Sequence, residues 1–205
     1  MSRFLHVSGV CKSFGEKRVL ADAGFSLPQG GAAFVGGANG SGKTTFLKIL
    51  AGLLRPDSAR EWEFDSRAQT PRANGVRGAV LLHQNPYMFA ATVRANVEIA
   101  GDAARAAAAL AWAGMEAAAD MPARALSGGE RARVSLARAH AASPKLCLLD
   151  EPLAHLDAAG ESLLRELLAL LRQNGGAAII AAPRKPPNLP CDSEWLLKEG
   201  KLQKL

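Results

Sequence analysis

Gly37-Ala-Asn-Gly-Ser-Gly-Lys-Thr44 decides the fold. It fits G-x-x-x-x-G-K-[S/T], a pattern in which glycines let backbone N–H groups turn inward around phosphate oxygens. Lys43 is placed to reach the terminal phosphates, and the Thr44 hydroxyl to ligate Mg²⁺. Just upstream, Ala32-Ala-Phe-Val35 reads as a short buried strand. Downstream, Thr44–Leu54 reads as a helix stopped near Arg55-Pro56. Strand, glycine loop and helix N-terminus form the context that the pattern needs, because the helix start adds its positive dipole end.

Further along, Val80–His83, Leu146–Leu149 and Ala177–Ala181 are short apolar runs that read as strands. Helices are predicted over residues 102–119, with Asp102 as N-cap, over Ser127–Ala142, and over Ala158–Arg172, closed by Asn174-Gly175. Strands alternating with helices imply an α/β fold whose parallel sheet is covered on both faces. Residues 3–10 and 19–27 instead alternate apolar and polar positions around Gly15-Glu16, the pattern of an antiparallel β layer. Four prolines between Pro183 and Pro190 break regular structure before a tail strand pair around Trp195-Leu-Leu and Lys201-Leu-Gln.

With 205 residues and 48% apolar content, the chain can bury a core as one domain. No apolar stretch reaches the ~18–20 residues of a membrane span. Met1-Ser-Arg-Phe-Leu5 lacks the apolar centre of a secretory signal. Three scattered cysteines make neither a disulfide framework nor a metal knuckle, and a reducing cytosol fits them best. The net charge of +6 fits an anionic partner, a membrane surface or nothing specific; no nucleic-acid partner is expected, since no basic run is interleaved with aromatics.

Asp150 and Glu151 end the apolar run Leu146-Cys-Leu-Leu. Carboxylates at the end of a buried parallel strand face the crevice where open α/β sheets bind ligands. Asp150 is read as holding Mg²⁺, and Glu151 as orienting or deprotonating a water. Ser127-Gly-Gly-Glu130 opens a helix as a capping box, and is also a second potential anion site. Two such sites in one chain point to two copies sharing nucleotides across an interface.

This ordered set resembles the ATP-binding cassette (ABC) ATPases over nearly the whole chain. Leu126-Ser-Gly-Gly-Glu130 is similar to their signature motif, continuing as Arg131-Ala-Arg-Val-Ser-Leu-Ala-Arg138. Gln84 matches the Q-loop glutamine, which senses Mg²⁺ and the attacking water, and Leu156-Asp157 the D-loop. Phe14 falls where the family stacks an aromatic ring on adenine. The resemblance implies a P-loop NTPase core (residues 1–84 and about 140–205) with the antiparallel layer. It also implies an inserted α-helical subdomain, about 85–139. ATP and Mg²⁺ are the implied ligands, held by Phe14, by Gly37, Ala38, Asn39, Gly40, Ser41, Gly42, Lys43, Thr44 and Thr45, by Gln84, and by Asp150. Lys43, Gln84 and Glu151 are the implied catalytic residues. Ser127, Gly128 and Gly129 are expected to meet the γ-phosphate held by a second ATPase subunit in a two-fold, head-to-tail dimer, with Glu130 beside them counted among the nucleotide-binding residues.

One position departs from the family pattern. A histidine that contacts the γ-phosphate normally follows the last core strand, but Pro183 stands there. Proline has neither imidazole nor backbone donor, so slow turnover is expected, or pairing with a subunit that carries the histidine. His155 is open to two readings, an imidazole offered across the dimer or an ordinary polar loop residue.

Because no span is present, transport would need separate integral-membrane permease chains, with this subunit peripheral on the cytoplasmic face. Tyr87, Met88 and Phe89 are open to two readings, permease contact or core of the helical subdomain. The Phe89-x-x-Thr-Val-x-x-Asn96 stretch is similar to importers of tungstate-type oxyanions, and the chain length to the ATPase of haem export in cytochrome c maturation. Neither likeness names a substrate. A nucleotide-binding regulatory subunit and a soluble ABC ATPase are the alternative functions.

Overall fold

The computed structural model describes residues 3–65, 67–68 and 75–205. Strands β1 (Arg3–Phe14) and β2 (Lys17–Pro28) pair antiparallel about the turn at Gly15-Glu16, as the alternation predicts, and run longer than it shows. β1 also pairs with β4 (Glu61–Phe64), which continues to β5 (Arg67–Ala68), so the first sheet has the order β2-β1-β4-β5. β4 is absent from the sequence reading. It buries Trp62 and Phe64 on one side, a period-two signal only four residues long.

The second sheet comprises β3 (Ala32–Gly36), β6 (Ala79–Leu82), β7 (Leu146–Asp150), β8 (Ala177–Ala181), β9 (Ser193–Lys198) and β10 (Lys201–Lys204). Its order is β10-β9-β3-β8-β7-β6, parallel except for the β9/β10 pair. Every residue of β3, β7 and β8 is buried, as befits strands covered on both sides. Successive side chains divide between the faces. Val35, Leu148 and Ile179 pack with Phe46, Leu47 and Leu50 of helix α1 (Lys43–Leu50). Phe34, Leu149 and Ile180 pack with Leu164, Leu167 and Leu171 of helix α5 (Ala158–Gln173). α1 thus hangs the phosphate loop from the centre of the sheet.

Phe46 is fully buried and meets Phe25 edge-to-face at 5.6 Å. Phe46→Ala is expected to cost about 3–5 kcal/mol, because a lost ring leaves a cavity under α1. Urea denaturation checks this, and a loss below about 1 kcal/mol would contradict the packing described.

Two helices are shorter than the sequence predicts. α1 ends at Leu50, not Leu54, because the N–H groups of Leu53 and Leu54 both turn back to the Lys48 carbonyl. Residues 102–119 form α3 (Ala103–Trp112) and a separate 3₁₀ turn, Glu116–Ala118, after the chain leaves the helix at Ala113-Gly114. Asp102 is the N-cap as expected, its carboxylate accepting from the Arg105 N–H at 2.8 Å. A short α2 (Val93–Glu98), capped by Thr92, and α4 (Gly128–Ala142) complete the α-helices among the described residues. Val93, Val97, Leu110, Val134 and Ala137 bind α2, α3 and α4 into a cluster of their own. α4 also reaches the α5 side of the sheet through Leu136 and Ala139.

Candidate active site

The loop between β3 and α1 cannot accept side chains at its ends. A Cβ on Gly37 would meet the Leu197 carbonyl oxygen at 2.6 Å, and one on Gly42 would meet Val19 Cγ1 at 2.8 Å. Both residues also hold positive φ. Lys43 is buried, and its ammonium donates to the carbonyls of Gly37 at 2.7 Å and Ala38 at 3.1 Å. Burial pushes its pKa down, opposed by the charges of Glu151 and Asp150.

β7 delivers the two acids to the same place. Asp150 is buried and accepts from the Thr44 hydroxyl through Oδ2 at 2.8 Å. Its Oδ1 is buried with no hydrogen-bond partner among the described residues. An orphaned carboxylate oxygen beside a hydroxyl is a donor set that fits a hard cation such as Mg²⁺. Glu151 holds φ at 49°, a left-handed conformation uncommon outside glycine, while its N–H still donates to the Ala181 carbonyl at 2.8 Å. Its Oε2 accepts from the Gln84 amide at 3.0 Å.

Phe14, Asn39, Gly40, Gly42, Lys43, Thr44, Thr45, Gln84 and Glu151 line one cleft of about 450 Å³. That volume lies within the range of small-molecule sites. Lys17 and Val19 line it too; no motif marks them, and only the return of β2 past the loop brings them there. Phe14 is half exposed at the cleft mouth, with the Lys12 ammonium 5.5 Å from its ring centroid. Gly37, Ala38 and Ser41 belong to the loop behind this lining, and the Ser41 hydroxyl is buried with no hydrogen-bond partner among the described residues.

Ser127, Gly128, Gly129 and Glu130 do not line that cleft. Ser127 caps α4 in a complete capping box, the Glu130 carboxylate accepting from the Ser127 N–H at 2.8 Å and hydroxyl at 2.7 Å. These bonds, the backbone one foremost, hold the Glu130 carboxyl below its usual range. Ser127 is exposed, and a Cβ on Gly128 would meet nothing within 4 Å. Arg133 of the same helix bonds at 2.6 Å to Asp157, the N-cap of α5.

The Tyr87-Met88-Phe89 segment divides between its two readings. Met88 packs against the helical cluster, whereas Tyr87 and Phe89 are exposed and meet edge-to-face at 5.1 Å. Arg138 clamps the segment, bonding the Tyr87 carbonyl at 2.6 Å and both oxygens of Asn96. His155 approaches Asn85 of its own chain. Pro183 is exposed just beyond β8, where its ring offers no donor.

The family model described as ABC transporter matches residues 20–154. The cytochrome c biogenesis ATP-binding export protein of Paramagnetospirillum magneticum is 37% identical over 177 residues, covering 82% of this chain and 82% of that protein. A zinc import ATP-binding protein of Pseudomonas fluorescens is 34% identical, covering 86% of this chain and 66% of that protein. Among solved structures, cbiO1 of Clostridium perfringens, part of the ABC transporter complex cbiONQ, superposes with a TM-score of 0.80 at 27% identity, over 99% of this chain and 88% of that one. The chain belongs to the ABC transporter family, as an ATP-binding subunit.

Proposed function

We propose that the cleft binds Mg-ATP and hydrolyses it, driving transport through separate permease chains. The observation that carries this reading is the paired contact Thr44–Asp150 and Gln84–Glu151, at 2.8 and 3.0 Å, which sets a cation-binding pair beside a carboxylate held by an amide. The loop N–H groups and Lys43 hold the phosphates, and Phe14 stacks on the base. Thr44, Asp150 and the Gln84 carbonyl would hold Mg²⁺, which would neutralise phosphate charge. Glu151 takes a proton from the attacking water, its carboxylate oriented by the Gln84 amide.

Ser127 to Glu130 complete the same site of a second copy. Ser127, Gly128 and Glu130 are exposed and none of the four residues lines the home cleft, which supports this; one chain carries both half sites, so an identical copy suffices. The core of residues 1–84 and about 140–205 then moves against the helical subdomain, about 85–139. Tyr87 and Phe89 offer the permease an exposed aromatic pair. Among the described residues no helix is long and apolar enough to cross a membrane; the subunit sits peripherally on the inner face, against the permease. Relatives are named for both export and import, so the permease chains set the solute and its direction.

Phosphate release by the purified chain tests the reading, and Pro183 sets the rate expected. With no imidazole beside the γ-phosphate, turnover is slow, and Pro183→His raises kcat on the order of 10-fold. An unchanged rate would show that this position does not limit turnover. The same proline favours a second reading, a regulatory subunit that closes on ATP without cycling. ATP binding without phosphate release, even beside a permease, would support it.

A further inference from the structure

Two consecutive residues beyond β6 are tied to opposite ends of the loop beyond β7. Gln84 Nε2 donates to Glu151 at 3.0 Å, and His155 Nε2 lies 3.2 Å from Asn85 Oδ1. An amide oxygen only accepts, so Nε2 carries the proton.

The loop is anchored at its far end. Asp157 caps α5 through the Gly160 N–H at 2.9 Å and takes Arg133 of α4 at 2.6 Å. The His155 carbonyl oxygen lies 3.4 Å from where a Cβ on Gly129 would stand, so this stretch also abuts the start of α4. Turns from Ala154 to the Glu151 carbonyl (3.2 Å) and from Leu156 to the Leu153 carbonyl (3.3 Å) keep it short and folded. Gln84 and Asn85, in contrast, are both exposed and sit in a stretch of irregular backbone after β6. His155 is the point at which the anchored loop grips the irregular one.

We propose that His155 is a positioning residue: it holds Asn85, and through Asn85 it keeps the Gln84 side chain at Glu151. The inference rests on the hydrolytic reading of Gln84 and Glu151. A single exposed hydrogen bond adds little to folding, but a small displacement of a residue beside the reacting water can cost much more in rate. His155→Ala therefore lowers kcat about 3- to 10-fold with KM for ATP unchanged.

Two measurements test this on the full chain. Tyr87 is the sole tyrosine and lies two residues beyond Asn85, so 3-fluorotyrosine gives one ¹⁹F resonance that reports on this stretch. His155→Ala and Asn85→Ala are each expected to shift or broaden it, the double variant no further than either, and His155→Gln, which keeps a donor, to restore it. In turnover the same pair is expected to be non-additive. An unmoved resonance in His155→Ala, or additive losses in the double variant, would overturn the proposal. Glu151→Gln separates the two readings: turnover that survives it refutes the hydrolytic role of Glu151, while the ¹⁹F series still reports whether His155 holds Asn85.

Discussion

Glu151→Gln is expected to lower turnover by about 10²- to 10⁴-fold while leaving ATP affinity within about 2-fold. The substitution removes a proton acceptor and little else. A glutamine there keeps an oxygen that accepts from the Gln84 amide, now 3.0 Å from the carboxylate, and the backbone bond to Ala181 is untouched. The left-handed φ at this residue is held by the surrounding sheet and loop, and is the same for either side chain. Single-turnover hydrolysis and equilibrium binding of a fluorescent ATP analogue separate the two quantities. A loss of affinity equal to the loss of rate would mean that Glu151 serves binding rather than proton transfer.

Lys43→Ala acts on the other quantity. It is expected to weaken ATP binding about 10- to 100-fold, the worth of charge-assisted hydrogen bonds to phosphate, and turnover falls with it. The ammonium is already desolvated and held by the Gly37 and Ala38 carbonyls, so the loop presents it with little reorganisation. Its pH behaviour follows from the same burial. Because desolvation depresses the Lys43 pKa, the free chain loses this proton at lower pH than an ordinary lysine does. Bound phosphates favour the charged form, so ATP affinity falls as pH rises through the free-state value. Lys43→Ala removes that alkaline limb. An alkaline decline that persists unchanged in Lys43→Ala would assign it to another group.

Local chemistry explains which parts of this molecule could be read before its structure. The phosphate loop, the Asp102 N-cap and the capping box at Ser127 are set by neighbouring residues, and each stands where its pattern places it. β3, β7 and β8 are legible because strands buried on both sides must be apolar throughout. β4 escapes because Glu61-Trp-Glu-Phe64 is too short for its alternation to stand out. The early end of α1 depends on carbonyl capping by Leu53 and Leu54, for which Arg55-Pro56 is only a delayed marker. At the site, the family resemblance points to Gln84 and the end of an apolar strand to Glu151, while their bond exists only because β6 and β7 are neighbours. Lys17 and Val19, which no motif marks, and the Arg138 clamp on Tyr87 arise the same way, from tertiary packing.

Ser127 to Glu130 of one copy are proposed to complete the nucleotide site of another. The mass of the Glu151→Gln chain in solution, with and without Mg-ATP, tests this most directly, because that variant is expected to bind nucleotide and discharge it only slowly. The expected result is a single-chain mass without nucleotide, a doubled mass at saturating Mg-ATP, and a return to the single mass when Ser127→Arg is added. Full ATP binding with the mass left at one chain would contradict the shared site.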